Sequence, residues 1–184
     1  MSKFKYTAIV SGFILTTLSS SLYASFDDDQ LRVVLKNAYI DRDFDNTDVK
    51  DTGSWSQGIS AFYTSGYTDT PLQVGLDLSV QYALRLSEDK GVADTVLPFD
   101  TDEQEQERHF LKYGGTLKAK YNDSELRVGE LWSNLPVTAI DGSRQLIASY
   151  QGLQFNHKVN DGLKFELGRI EKFSSRFDED FSPR

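Results

Sequence analysis

LQVGLDLSVQYALRL, residues 72–86, decides the fold. Leu72, Val74, Leu76, Leu78, Val80, Tyr82, Leu84 and Leu86 are apolar, and Gln73, Gly75, Asp77, Ser79, Gln81, Ala83 and Arg85 stand between them. Strict alternation places the two sets on opposite faces of a β-strand; a helix would scatter the apolar set around its circumference. A strand of a globular protein usually has about 5–6 residues. A tilted strand that crosses a bilayer needs about 9–11. The run is long enough to cross.

The same period recurs with more noise on either side. Residues 31–44 carry Leu31, Val33, Leu35 and Tyr39 on one face, and 55–67 carry Trp55, Ile59, Ala61, Tyr63 and Tyr67, with Gln57 out of pattern. Residues 109–121 carry Leu111, Tyr113, Leu117, Ala119 and Tyr121. In 125–132, Leu126, Val128 and Trp132 agree and Glu130 does not. Residues 153–159 and 163–173 complete seven expected strands, the last losing register near Arg169. Their connections alternate in length. Polar turns at 68–71, 122–124 and 160–162 are tight. The segments 45–53, 87–108 and 133–149 are longer. Short turns at one end and long loops at the other describe an antiparallel transmembrane β-barrel of the outer-membrane kind. Tyr39, Trp55, Tyr67, Tyr121 and Trp132, near strand ends, are expected in its interfacial girdles. A soluble sandwich or lipocalin-like barrel also alternates, but over shorter strands.

Ahead of these strands, Lys3 and Lys5 precede the apolar run TAIVSGFILTTL (7–18), three serines, and Leu22-Tyr23-Ala24. A basic start, a short apolar centre and a small residue at the exit make residues 1–24 an expected export signal, too short to span as a helix. The remaining 160 residues, 25–184, are expected to be the barrel segment.

Composition narrows the chemistry. The 184-residue chain has a net charge of −8, which argues against nucleic-acid binding by bulk charge. It has no Cys and two His, so disulfides, thiolate zinc sites and cysteine nucleophiles are excluded and a histidine-rich metal site has no material. His109 and His157 lack acids at ligand spacing, and no nucleophile motif accompanies them. The acidic loop DTDEQEQE (100–107) lacks the spacing and glycine of an EF-hand. No catalytic residue, metal ligand or cofactor is assigned.

With the apolar face toward lipid, the other face becomes the channel lining. By parity its bases are Arg32, Lys36, Arg85, Lys112, Lys118, Lys120, Arg127, Lys158 and Lys164, against the acids Asp77, Glu125 and Glu166. A basic wall in a confined channel favours anionic solutes; the same bases could equally make an unselective polar lumen. One bulge would invert every residue beyond it.

The stretches LKNAYIDRDF (35–44), SWSQGISAFYTSGYTD (54–69), GGTLKAKYNDSELRVGEL (114–131), LPVTAIDGSRQL (135–146) and GLKFELGRIEKFSSR (162–176) resemble the OprD family of outer-membrane porins. The resemblance covers nearly all of the chain beyond the leader, in the order of that family's N-terminal part. It implies a wall of an 18-stranded monomeric barrel, often packed as trimers, for passive uptake of small carboxylate-bearing nutrients or amino acids from the outer membrane. No nucleotide or metal is needed. It implies a ladder of lumen bases, matched by the set above, and a third loop that folds inward, with Asp141 and Arg144 at the constriction. Seven strands fall short of 18, and the chain ends in Pro183-Arg184 rather than an aromatic residue, so an N-terminal fragment is expected. The alternatives are a small structural or binding barrel, a truncated chain without function, and an outer-membrane hydrolase that uses a histidine.

Overall fold

A computed structural model describes residues 13–26, 28–45, 48–88, 92–94, 96–100, 102–132 and 142–183. Its strands are β1 (Phe13–Phe26), β2 (Asp29–Arg42), β3 (Thr52–Thr64), β4 (Gln73–Arg85), β5 (Phe99–Asp100), β6 (Glu105–Gln106), β7 (His109–Tyr121), β8 (Ser124–Leu131), β9 (Ser149–Asn160), β10 (Leu163–Ser174) and β11 (Ser182–Pro183). Among the described residues there is no helix.

Nine strands form one sheet in the order β1-β2-β3-β4-β7-β8-β9-β10-β11, and every pairing is antiparallel. β5 and β6 form a separate small hairpin within the long 87–108 connection. The order is a meander, as short turns between neighbouring strands require. Asn122 holds a φ of 49° in the turn between β7 and β8, a left-handed conformation that Asn tolerates. All seven expected strands are present within a few residues of their expected limits. β1 adds an eighth long strand, lying along β2 from Phe13↔Arg42 to Phe26↔Asp29, in the segment read as the export signal. Residues 1–12 of that signal lie outside the described residues, as does Asp141.

The two faces differ in cover. Leu72, Val74, Leu76, Leu78, Val80 and Tyr82, with Leu111, Tyr113 and Leu117 on the neighbouring β7, are exposed. Asp77, Ser79, Gln81, Lys112, Thr116 and Lys118, on the opposite face, are buried. A water-soluble sheet would bury its apolar side. The inversion is that of a barrel wall, apolar toward lipid and polar inside. Residues 92–94, 96–98 and 142–148 cover the polar face near one end. There Ala38, Ile40, Ala83 and Phe110 pack with Val96, Leu97 and Leu146, while Val34 and Phe62 pack with Ile147.

Two of the five aromatics expected in the girdles lie elsewhere. Trp132 packs edge-on against inward-facing Phe62 at 5.9 Å, and Tyr67 lies beneath the ammonium groups of Lys118 and Lys120. Tyr39, Trp55 and Tyr121 are exposed as expected. Tyr67 and Trp132 both fall just past a strand end, where the period-two rule no longer fixes the direction of a side chain.

Candidate functional site: the polar face of the sheet

Pairing register brings the inner-face charges together. Asp77↔Thr116 and Lys118↔Arg127 are cross-strand partners, so the Asp77 carboxylate lies between β7 and β8 bases. Lys118 Nζ donates to Asp77 Oδ1 at 2.7 Å and to the Ser65 carbonyl at 2.6 Å. Arg127 donates to Asp77 Oδ2 at 3.2 Å, and its Nε forms an ion pair with Glu125 Oε1 at 2.8 Å. Asp77 and Lys118 are each only 2% exposed. Burying such charges is costly unless each is paired and hydrogen-bonded, as both are. At the adjoining turn, burial first and then the Glu125 charge push the Tyr67 phenol up to about 12.

Two further bases hold main-chain carbonyls. Lys36 Nζ donates to the carbonyls of Gly142 and Arg144 at 2.9 and 2.6 Å. Lys112, 1% exposed, donates to the carbonyls of Ile147, Ser174 and Ser175 at 3.1, 3.5 and 3.2 Å. Amides complete the attachment of the 142–148 segment: Gln145 Nε2 donates to the Ser56 carbonyl and hydroxyl, and the Ile147 N–H donates to Gln81 Oε1 at 2.8 Å.

Arg32 is arranged differently. Its guanidinium sits 4.5 Å above the Phe62 ring, its partner across the β2–β3 pair. It borders a cavity of about 260 Å³ lined also by Gln30, Thr64, Asp77, Arg127 and Trp132. A guanidinium stacked on an aromatic face keeps its N–H edge free of the ring and presents planar donors suited to a carboxylate.

Glu130, a misfit in the sequence pattern, is an inner-face residue. Gly129 holds a φ of +126°, a conformation that glycine adopts readily. Beyond it the side-chain direction changes, and the Glu130 carboxylate accepts a 2.7 Å hydrogen bond from the hydroxyl of inward-facing Ser79. It fills the space that a Cβ would take at Gly114. Parity alone missed this acid; a glycine immediately before the misfit was the available signal.

The remaining expected bases are placed as follows. Arg85 is half-buried on the inner face at the end of β4. Lys120, Lys158 and Lys164 line a more open cavity of about 510 Å³ around the 122–124 and 160–162 turns. Lys158 pairs with Asp161 at 2.7 Å, and Lys164 with Glu166 at 3.6 Å. Arg144 lies in the covering segment; its carbonyl is held by Lys36 and its own Nη1 donates to the Ser143 carbonyl at 3.4 Å. His157 Nδ1 is 2.9 Å from Ser124 Oγ, while His109 is exposed at the start of β7. Among the described residues no group of three or more His, Asp or Glu could hold a metal ion.

An all-antiparallel meander, apolar on its bare face and charged on its loop-covered face, defines an outer-membrane β-barrel wall. The family model for outer membrane porins of the OprD family matches residues 24–183, and the chain belongs to that family. The crystal structure of Acinetobacter baumannii OccAB4 is similar, with 55% sequence identity and a TM-score of 0.80, covering 84% of this chain and 41% of that one. The porin-like protein GalP of Pseudomonas putida is 29% identical over 153 residues, which are 83% of this chain and 37% of GalP. The crystal structure of Pseudomonas aeruginosa OpdK with vanillate shows 27% identity and a TM-score of 0.74, covering 85% of this chain and 39% of that one. The chain thus spans about two fifths of the length of these relatives. Porins are passive channels of the bacterial outer membrane, not enzymes, as the sequence led us to expect.

Proposed function

We propose that this chain forms a sector of the wall of an outer-membrane channel that admits small carboxylate-bearing nutrients or amino acids by passive diffusion. Residues 1–24 act as an export signal, and their removal takes away most of β1 and leaves β2 as the first strand of the wall. The basic residues of the inner face other than Lys36 and Lys112, which loop carbonyls engage, attract the anionic end of the solute. The segment that includes Asp141 and Arg144 narrows the passage.

The observation that carries the solute class is Arg32 over Phe62 beside a cavity of about 260 Å³. Lys118 and Arg127 share Asp77, and Lys36 and Lys112 are engaged by carbonyls. Arg32 therefore offers the clearest guanidinium for a passing carboxylate, and the rings of Phe62 and Trp132 offer it apolar contact. Vanillate, found in the OpdK crystal structure, is an aromatic carboxylate of that description.

The test is electrical. Protein purified from outer membranes is inserted into planar bilayers under a salt gradient, and the reversal potential is read. Anion preference is expected, together with block of the current by an aromatic carboxylate that Arg32→Gln relieves by about tenfold, the worth of one charged hydrogen-bonded contact. Equal permeability to anions and cations in the unsubstituted protein would remove the electrostatic part of the proposal.

A further inference from the structure

Lys36 and Lys112 both reach from the wall to main-chain carbonyls of the segment that covers it, those of Gly142, Arg144 and Ile147. Lys36 reaches the beginning of the 142–148 segment; Lys112 reaches its Ile147 and also Ser174 and Ser175 at the end of β10. Between these two attachments, Leu146 is fully buried and Gln145 is 1% exposed. Lysine suits this task, since one ammonium offers three donors and can gather carbonyls from separate segments. At Lys112, 1% exposed, almost nothing of the side chain faces open space.

We infer that Lys36 and Lys112 are positioning residues, which pin the covering segment 142–148 onto the wall at its two ends and so set the aperture, rather than rungs that a solute touches. The inference deepens the channel reading and rests on it for the word aperture. The pinning itself can be tested without conduction.

The chain has no cysteine, so a single thiol introduced as Leu146→Cys reports directly on the segment. Outer membranes carrying this variant are exposed to a membrane-impermeant maleimide, and labelling is followed by mass. The buried thiol is expected to react slowly. Adding Lys112→Met or Lys36→Met is expected to speed labelling by about tenfold or more, since each removes charged hydrogen bonds that keep the segment closed. Lys36→Arg, which keeps the charge and donors, is expected to restore slow labelling. Lys164→Met, on a base whose partner is Glu166 far from the covering segment, is expected to leave the labelling rate unchanged. Lys36 is only half-buried, so Lys36→Met tests the inference if Lys112→Met fails to assemble.

Labelling rates unchanged by both Lys36→Met and Lys112→Met would overturn the pinning. In bilayers the same variants are expected to raise conductance and current noise while leaving anion preference in place. A fall in anion preference at constant conductance would make them rungs instead and overturn the inference. A chain that labels as expected but conducts nothing would leave the pinning intact and defeat only the channel reading.

Discussion

Asp77 joins two bases of the inner wall through one carboxylate. It is 2% exposed, and each carboxylate oxygen meets a different base, Lys118 at 2.7 Å and Arg127 at 3.2 Å. Removing one partner of a buried pair leaves the other charge uncompensated and typically costs about 3–5 kcal/mol. Asp77→Asn is therefore expected to lower stability by about 3 kcal/mol. Glu125→Gln, at a pair with both partners about a third exposed, should cost under about 1 kcal/mol. Urea titration of the protein in detergent, followed by tyrosine fluorescence, checks the contrast, and equal losses would mean the pair is screened by water. Tyr67 supplies a second residue-scale test. Its phenol is pushed up to about 12 by burial and then by Glu125. A phenol whose folded pKa is raised stabilises the fold below its unfolded pKa of about 10, and that stability is lost as pH rises through the folded value. In an alkaline absorbance titration, the phenolate signal that Tyr67→Phe removes should have its midpoint near 12, and Glu125→Gln should move that midpoint down. A midpoint of about 10 for that signal would show an unshielded ring.

Among the strands, β8 shows how one residue can redirect an element. Up to Val128 its side chains alternate outward and inward; at Gly129 the backbone enters φ +126°, and Glu130 turns onto the inner wall against Ser79. The turn is possible because β7 presents Gly114 opposite, where a Cβ would collide with the Glu130 carboxylate. Gly114→Ala should therefore destabilise by about 1–3 kcal/mol, with most of the loss disappearing in a Glu130→Ala background. A double-mutant cycle measured by urea titration decides; additive losses would mean that the two positions do not share the space. The same strand marks the boundary of what the sequence made legible. The seven outward stripes could be read because burial against lipid demands an apolar residue at every second position, and only a strand satisfies that. Arg32, Lys36, Lys112, Lys118 and Arg127 followed from parity. What these bases do did not follow, because their partners come from distant segments. Lys36 meets Arg144, 108 positions away, and Lys118 meets Asp77, 41 away. The loop-covered apolar cluster around Ala83 and Phe110 was equally hidden, since an inward apolar residue looks like noise in an alternating pattern.

At the scale of the whole molecule, the two faces of the sheet imply a particular surrounding medium. Leu78, in the middle of β4, is 44% exposed, while its neighbours Asp77 and Ser79 are buried, Asp77 against Lys118 and Arg127 and Ser79 against Glu130. In water such a sheet would leave a broad apolar face unprotected, well beyond the few hundred square ångströms that soluble monomers usually expose. Its end strands would also need partners before they could sit in hydrocarbon. The medium can be read from a single charge. If the apolar face met water, Leu78→Arg would replace an exposed side chain by a soluble one and change stability by no more than about 0.5 kcal/mol. If it meets lipid at mid-depth, the cost is about 2–4 kcal/mol, falling to about 0–1 kcal/mol near the interface. Leu86, on the same outward stripe one residue past the end of β4, provides the interfacial comparison. Leu78→Arg is accordingly expected to reduce the urea midpoint of membrane-refolded protein strongly, and Leu86→Arg only slightly. Two small and equal effects would place the stripe in water. A steep gradient from Leu86 to Leu78 would locate β4 across the bilayer, with the Asp77, Lys112 and Lys118 wall facing the interior of the barrel.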